Sequence, residues 1–364
     1  MTDKIISFKR GVPPTESFPN EELIECTRQV INEHSAKILQ YGSAAGYEPL
    51  REYIARQYSV DVEQVVIGQG SLQLLDLLCR VSITEGDSVF VEQPTYDRTL
   101  TIYKRAKADL RGFGFTAGQI NIEDVKESLE KGPIPKYFYV IADFQNPSGC
   151  VMGIEERQAL TSLARRYGFM IIEDNPYRRL RYEGIPLPSL FEISPDVVIH
   201  MSSYSKLVSP GLRIGYMILP KNLAEKLIQY AEDTYVCPSF LNQAVVFEFI
   251  KRGMLEKQLN YLIRLYRPRL RAILSAMDSR LSGFGEWVKP QGGFYVGLTL
   301  NNNINMLNLN DASVSGLALS DGRGFFLSGG SHFIRLPYCA LTEDEITMGI
   351  QRLEDVITTS LKEP

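Results

Sequence analysis

Five short runs of apolar residues, rich in β-branched and aromatic side chains, punctuate the chain at 65–67, 88–91, 137–141, 169–172 and 197–201. None alternates with polar residues as a half-exposed strand does, so each reads as a strand buried on both faces. Between them the period changes. Residues 72–80 carry apolar side chains at 72, 74, 75, 77 and 78, and 154–167 place Leu160, Leu163, Ala164 and Tyr167 on one face behind a glutamate-rich first turn. Strands alternating with amphipathic helices predict an α/β fold, a mostly parallel central sheet flanked by helices.

After Pro220 the pattern turns to long helical stretches at 222–234, 241–252 and 254–275, the last with Pro268 inside it. Residues 293–300 and 333–336 read as short strands and 343–361 as a closing helix, together a smaller α+β domain. No internal repeat and no Gly/Ser- or Pro-rich linker separates the parts. The expected division is an N-terminal arm over 1–40, a large domain over 41–265 and a small domain over 266–364. The arm is too short to fold alone, so it is expected to pack beside the small domain or to reach a neighbouring subunit.

Composition narrows the chemistry. Of 364 residues, 39 are Lys or Arg and 43 Asp or Glu, a net charge of −4, which offers no electrostatic footprint for nucleic acid or an anionic membrane. The apolar runs fall far short of the ~20 residues that cross a bilayer. The charged first ten residues lack the pattern of a secretory signal, so a cytoplasmic protein is expected. Cys26, Cys79, Cys150, Cys237 and Cys339 are odd in number and scattered, and His34, His200 and His332 stand apart. Neither a disulfide framework nor a metal site is expected from such spacing.

In an open parallel sheet, ligands sit at the carboxyl ends of the strands. Here those ends deliver Asp143-Phe144-Gln145-Asn146-Pro147-Ser148-Gly149, Glu173-Asp174-Asn175-Pro176-Tyr177 and Ser202-Ser203-Tyr204-Ser205-Lys206. An amide, a carboxylate and an amine thus follow three successive strands. Gly68-Gln69-Gly70-Ser71-Leu72 joins a strand to a helix, and its amides with the helix dipole make an anion site. It lacks the third glycine of a dinucleotide fingerprint and the Gly-Lys-Ser/Thr of a P-loop. Lys206 stands in a largely uncharged stretch with Arg213 seven positions on, an arrangement that suits a phosphorylated aldehyde cofactor.

These motifs resemble the fold-type I pyridoxal-phosphate enzymes, specifically the class I/II aminotransferases of the 2-aminoadipate and kynurenine aminotransferase branch. The resemblance spans nearly the whole chain, from Gln40-Tyr41-Gly42 and Gly70-Ser71 through Pro94-Thr95-Tyr96, Asn146-Pro147-Ser148-Gly149, Asp174-Asn175-Pro176-Tyr177, Ser203-Tyr204-Ser205-Lys206, Pro210-Gly211-Leu212-Arg213, Gly292-Gly293-Phe294 and Arg335-Leu336. It implies pyridoxal 5′-phosphate as cofactor, with Lys206 as its Schiff-base lysine and proton shuttle. Asp174 resembles the partner of the ring nitrogen, Asn146 and Tyr177 the donors to the ring hydroxyl oxygen, and Tyr96 and Pro176 the groups on the two ring faces. Gly70, Ser71, Ser203, Ser205 and Arg213 match the phosphate cup, with Tyr41 reaching it from a second subunit of a homodimer. Arg335 resembles the arginine for the substrate carboxylate, with Gly11 in the covering N-terminal segment and Asn146 also touching substrate. Leu72 departs from the pattern, standing where relatives often carry a polar phosphate donor. The implied reaction moves an amino group from an α-amino acid to a 2-oxo acid, expected to be 2-oxoglutarate, by a ping-pong mechanism.

Three other readings stay open at this point. A lyase, decarboxylase or oxidative deaminase uses the same cofactor scaffold. A regulatory binding module uses the same domain behind a helix-turn-helix, and a nicotinamide dehydrogenase shares the parallel α/β class. Side-chain preference is expected to rest on segments 17–38 and 301–330.

Overall fold

The computed structural model describes residues 5–116, 118–304 and 316–361. Its strands are β1 (Ile6–Phe8), β2 (Val65–Gly68), β3 (Ser88–Gln93), β4 (Asp109–Thr116), β5 (Gln119–Ile120), β6 (Tyr137–Val140), β7 (Met170–Asp174), β8 (Val198–Ser203), β9 (Gly215–Ile218), β10 (Gly285–Trp287), β11 (Tyr295–Leu300), β12 (Leu317–Leu319) and β13 (Phe333–Pro337). Its helices are α1 (Asn20–Ile38), α2 (Glu48–Tyr58), α3 (Ser71–Ser82), α4 (Asp97–Arg105), α5 (Ile122–Lys131), α6 (Ile154–Tyr167), α7 (Leu190–Ile193), α8 (Lys221–Tyr235), α9 (Phe240–Lys251), α10 (Met254–Arg280) and α11 (Glu343–Ser360).

The five apolar runs are β2, β3, β6, β7 and β8, all in one eight-stranded sheet of order β2-β9-β8-β7-β6-β3-β4-β5. From β8 through β4 every neighbouring pair is parallel, while β9 runs against both its neighbours and β5 against β4. The fold is therefore α/β with a mostly parallel sheet. Successive residues face opposite helical layers, as the two-residue period of a strand requires. Val89 and Val91 pack with Leu74 and Leu78 of α3 and Tyr103 of α4, whereas Phe90 joins Leu160 of α6 and Val125 of α5 on the other side. Burying one such leucine contributes about 2 kcal/mol.

In the central sheet β4, β5 and β9 went unread in the sequence. β4 holds Asp109, Arg111 and two glycines because it lies near the sheet edge, where a continuous apolar run is not required, β5 has two residues, and β9 opens with Gly215-Tyr216 rather than with a β-branched run. The C-terminal part is a three-stranded antiparallel sheet, β10-β11-β13, against which α10 and α11 pack. Helix α10 runs on to Arg280, beyond the predicted 275, because Ile273, Ala276 and Met277 continue its buried stripe past Pro268. The expected division at 265/266 falls inside this single helix.

The N-terminal residues split rather than staying together as an arm. β1 pairs in parallel with β12, Ile6 opposite Leu317. Helix α1 instead lies on α9, and its Cys26 Sγ is 3.8 Å from Met254 Sδ at the start of α10. The cause is burial: α1 has an apolar stripe of Cys26, Val30 and Ile38, and α9 is apolar nearly all round.

Candidate active site

A cavity of about 720 Å³ opens at the carboxyl ends of the parallel strands. Asp174 is the last residue of β7, Asn146 follows β6, Lys206 lies in the turn after β8, Tyr96 precedes α4, and Gly70 with Ser71 joins β2 to α3. Gly11, Pro176, Tyr177, Ser203, Ser205, Arg213 and Arg335 complete the predicted set on its wall. Tyr41 alone of the predicted residues is elsewhere, at the surface and 78% exposed.

The floor holds two groups, the buried Asp174 and the partly buried Lys206, whose desolvation works against their charged forms. Tyr139 donates its hydroxyl to Asp174 Oδ2 at 2.6 Å, while Asp174 Oδ1 is buried with no partner. Burial pushes the Asp174 carboxyl up to about 6, against the opposing pull of that hydrogen bond. Lys206 is shifted the other way: burial lowers its amine, and the charges of Arg213 and Arg335 act in the same direction. Its Nζ lies 5.8 Å from the centre of the Phe294 ring. Lowering an amine in this way enlarges the share of its neutral, nucleophilic form.

At one end of the floor the chain builds an anion cup. Gly70 has φ +91°, a conformation that side chains resist, and a Cβ there would run into the Arg213 guanidinium. That close approach brings Arg213 against the start of α3, where its Nη2 donates to Gln69 O at 3.0 Å. Helix α3 has no side-chain cap, so its first amides and its dipole are left for a ligand. Ser203 Oγ accepts from Ser205 N at 3.0 Å and lies 2.8 Å from Ser205 Oγ, which fixes the two hydroxyls side by side. Leu72 also lines the cavity, so this position of the cup is apolar.

The roof comes from remote segments. Arg335 on β13 donates to Asn146 Oδ1 at 3.1 Å and to Lys9 O at 2.9 Å, and its Nε is buried without a partner. Its guanidinium is sandwiched between the rings of Tyr295 and Phe325, 5.0 and 4.6 Å from their centres. Tyr295 also meets Tyr177 hydroxyl to hydroxyl at 3.3 Å and covers Gly11, where any Cβ would strike its ring.

Sequence reasoning missed Tyr139, Tyr295, Phe325 and Lys9. Two of them left a signal. Tyr139 stands opposite Ile172 in the β6–β7 register, so it shares a face with Asp174, and Tyr295 directly follows Gly292-Gly293-Phe294. Phe325 and the Lys9 carbonyl left none. Of the expected specificity segment 301–330, residues 305–315 lie outside the described residues.

The model of the family "Aminotransferase class I and II" matches residues 3–353. An aromatic-amino-acid aminotransferase of Thermococcus litoralis is 33% identical over 99% of this chain and 90% of its own length. Among solved structures, an α-aminoadipate aminotransferase of Thermus thermophilus, complexed with N-(5′-phosphopyridoxyl)-L-leucine, superposes with a TM-score of 0.93 at 31% identity, covering 98% of this chain and 93% of that one. A kynurenine aminotransferase of Pyrococcus horikoshii, in complex with PMP, gives 0.94 at 31% identity over 99% and 92%.

Proposed function

This chain belongs to the class I and II aminotransferases, and from that membership we propose that its cavity moves the amino group of an α-amino acid to 2-oxoglutarate in a ping-pong sequence, within a homodimer that shares its active sites. The enzyme is a pyridoxal-phosphate-dependent aminotransferase. Pyridoxal phosphate, when bound, supplies an aldehyde that condenses with amines and a ring that takes up the electron pair released at the substrate Cα.

The residues present fit that group. The observation that carries the reading is Asp174 Oδ1, a buried carboxylate oxygen without a partner on the floor of a cavity that also holds a partly buried lysine with a lowered amine. An unpartnered buried acceptor costs free energy unless a ligand satisfies it, and a protonated ring nitrogen is such a ligand. In this reading Asp174 holds the proton at the ring nitrogen, and Tyr139 holds Asp174. Asn146 and Tyr177 orient the ring through its hydroxyl oxygen, with Tyr96 and Pro176 on its faces. Gly70, Ser71, Ser203, Ser205 and Arg213 bind the phosphate. Lys206 Nζ, whose desolvation favours the neutral form, carries the proton taken from the substrate Cα. Arg335 Nε, also unpartnered, takes the substrate carboxylate, and the segment at Gly11 shields it from water. The exposed Tyr41 supports donation to a second subunit, and the five free thiols support a reducing, cytoplasmic setting.

The test is product analysis on the cofactor-loaded enzyme with single amino acids. Turnover that continues only with 2-oxoglutarate present, yielding glutamate and a 2-oxo acid, is the expected result. Ammonia, peroxide or carbon dioxide released without an acceptor would replace this reading by the lyase or oxidative one.

A further inference from the structure

Behind the strand-end wall lies a second cavity of about 550 Å³, separated from the first by Pro176 and Ser203, which line both. Its charge is one-sided. Arg178, Arg179, Arg181 and Arg267 line it, against the single acidic side chain Glu183, which already accepts from Arg271 at 2.8 Å. Arg178 and Arg179 are paired with Glu192 and Glu256. Arg181 must share Asp143, at 3.3 Å, with Arg157 at 3.1 Å and Arg178 at 4.0 Å, so one carboxylate serves three guanidinium groups. Among the described residues Arg267 donates only to the carbonyl of Tyr182, at 2.9 Å, and has no carboxylate partner.

The hydrogen-bond inventory of this cavity is also incomplete. Asn175 is 4% exposed, lines the cavity, and has neither its amide nitrogen nor its oxygen partnered. Arg181 Nε is buried and unpartnered too. Buried polar atoms are nearly always satisfied, so unpartnered donors in side chains that line a roomy space mark a place for a ligand. With cations in excess, that ligand is an anion.

We propose that this cavity binds a small dianion, a phosphate or a dicarboxylate, between Arg267, Arg181 and the Asn175 amide. The site is independent of the aminotransferase reaction, and its partition from the catalytic cavity is one residue layer thick. The experiment uses enzyme saturated with cofactor and follows its unfolding temperature on titration with inorganic phosphate or malonate at constant ionic strength, with chloride as control. A saturable rise with one of the two is expected, and the effective anion identifies the source. The rise should persist in Arg335→Gln, which cripples the catalytic cavity, and Arg267→Gln should raise the midpoint concentration about tenfold or more, the loss of one charged hydrogen bond. Should Arg267→Gln not fold, Asn175→Ala carries the same expectation. The proposal is overturned by no response to either anion, by an unchanged response in those variants, or by a response that Arg335→Gln abolishes.

Discussion

The floor and the roof of the catalytic cavity are built on opposite plans. The floor is made where strands end: Asp174 closes β7, and Asn146 and Lys206 follow β6 and β8 within a few residues, so a rigid parallel sheet sets their spacing. The roof joins residues 9–12, 295, 319–325 and 335, brought together by the β1–β12 pair and by the bond from Arg335 to Lys9 O across 326 positions. The floor is chemistry that needs exact placement of a few buried charges. The roof needs only to close over a carboxylate and a side chain, and relatives that are similar throughout bear the names of different substrates.

That contrast predicts a ranking of substitutions. Lys206→Ala removes the amine proposed to carry the proton and should cost about 10⁴-fold in kcat/KM, measured with saturating cofactor. Asp174→Asn should separate function from stability. Its raised carboxyl, about 6, makes the folded, cofactor-free protein lose stability as pH rises from about 4 through 6, the loss being complete above that. At pH 8 the asparagine form without cofactor should therefore be the more stable one in urea, by up to about 3 kcal/mol, while kcat/KM falls about 10³-fold. A cofactor-free Asp174→Asn protein that is less stable at pH 8 would break the comparison.

On the roof, Arg335→Gln should lower kcat/KM about 10²-fold while the cofactor's visible absorption is unchanged, because the arginine is proposed to hold substrate rather than cofactor. Loss of that band would move Arg335 to the floor. The smallest effect belongs to Tyr139→Phe. It deletes the hydrogen bond to Asp174 Oδ2 and should raise that carboxyl further, cutting kcat/KM about tenfold with KM for the amino acid little changed.

The same contrast explains what the sequence made legible. Strands buried on both faces announce themselves as apolar runs, and the polar residues after each run are the floor, so Asn146, Asp174 and Lys206 could be located before any coordinates. The arginine sandwich of Tyr295 and Phe325 could not. It depends on the register of β11 against β13 and on a turn near 322–325, neither of which leaves a periodic trace. β4 and β9 were hidden for related reasons, one by edge polarity and one by the Gly215-Tyr216 that opens it. The split of the N-terminal residues, β1 to one sheet and α1 to α9, follows from partners distant in the chain.

The most direct test of the central claim, that the floor is a cofactor site anchored on Lys206, is borohydride reduction of the purified enzyme followed by peptide mass spectrometry. The account predicts a visible absorption band that reduction bleaches and a phosphopyridoxyl adduct on Lys206 alone. An adduct on another lysine, or no adduct after reconstitution with pyridoxal phosphate, would contradict it.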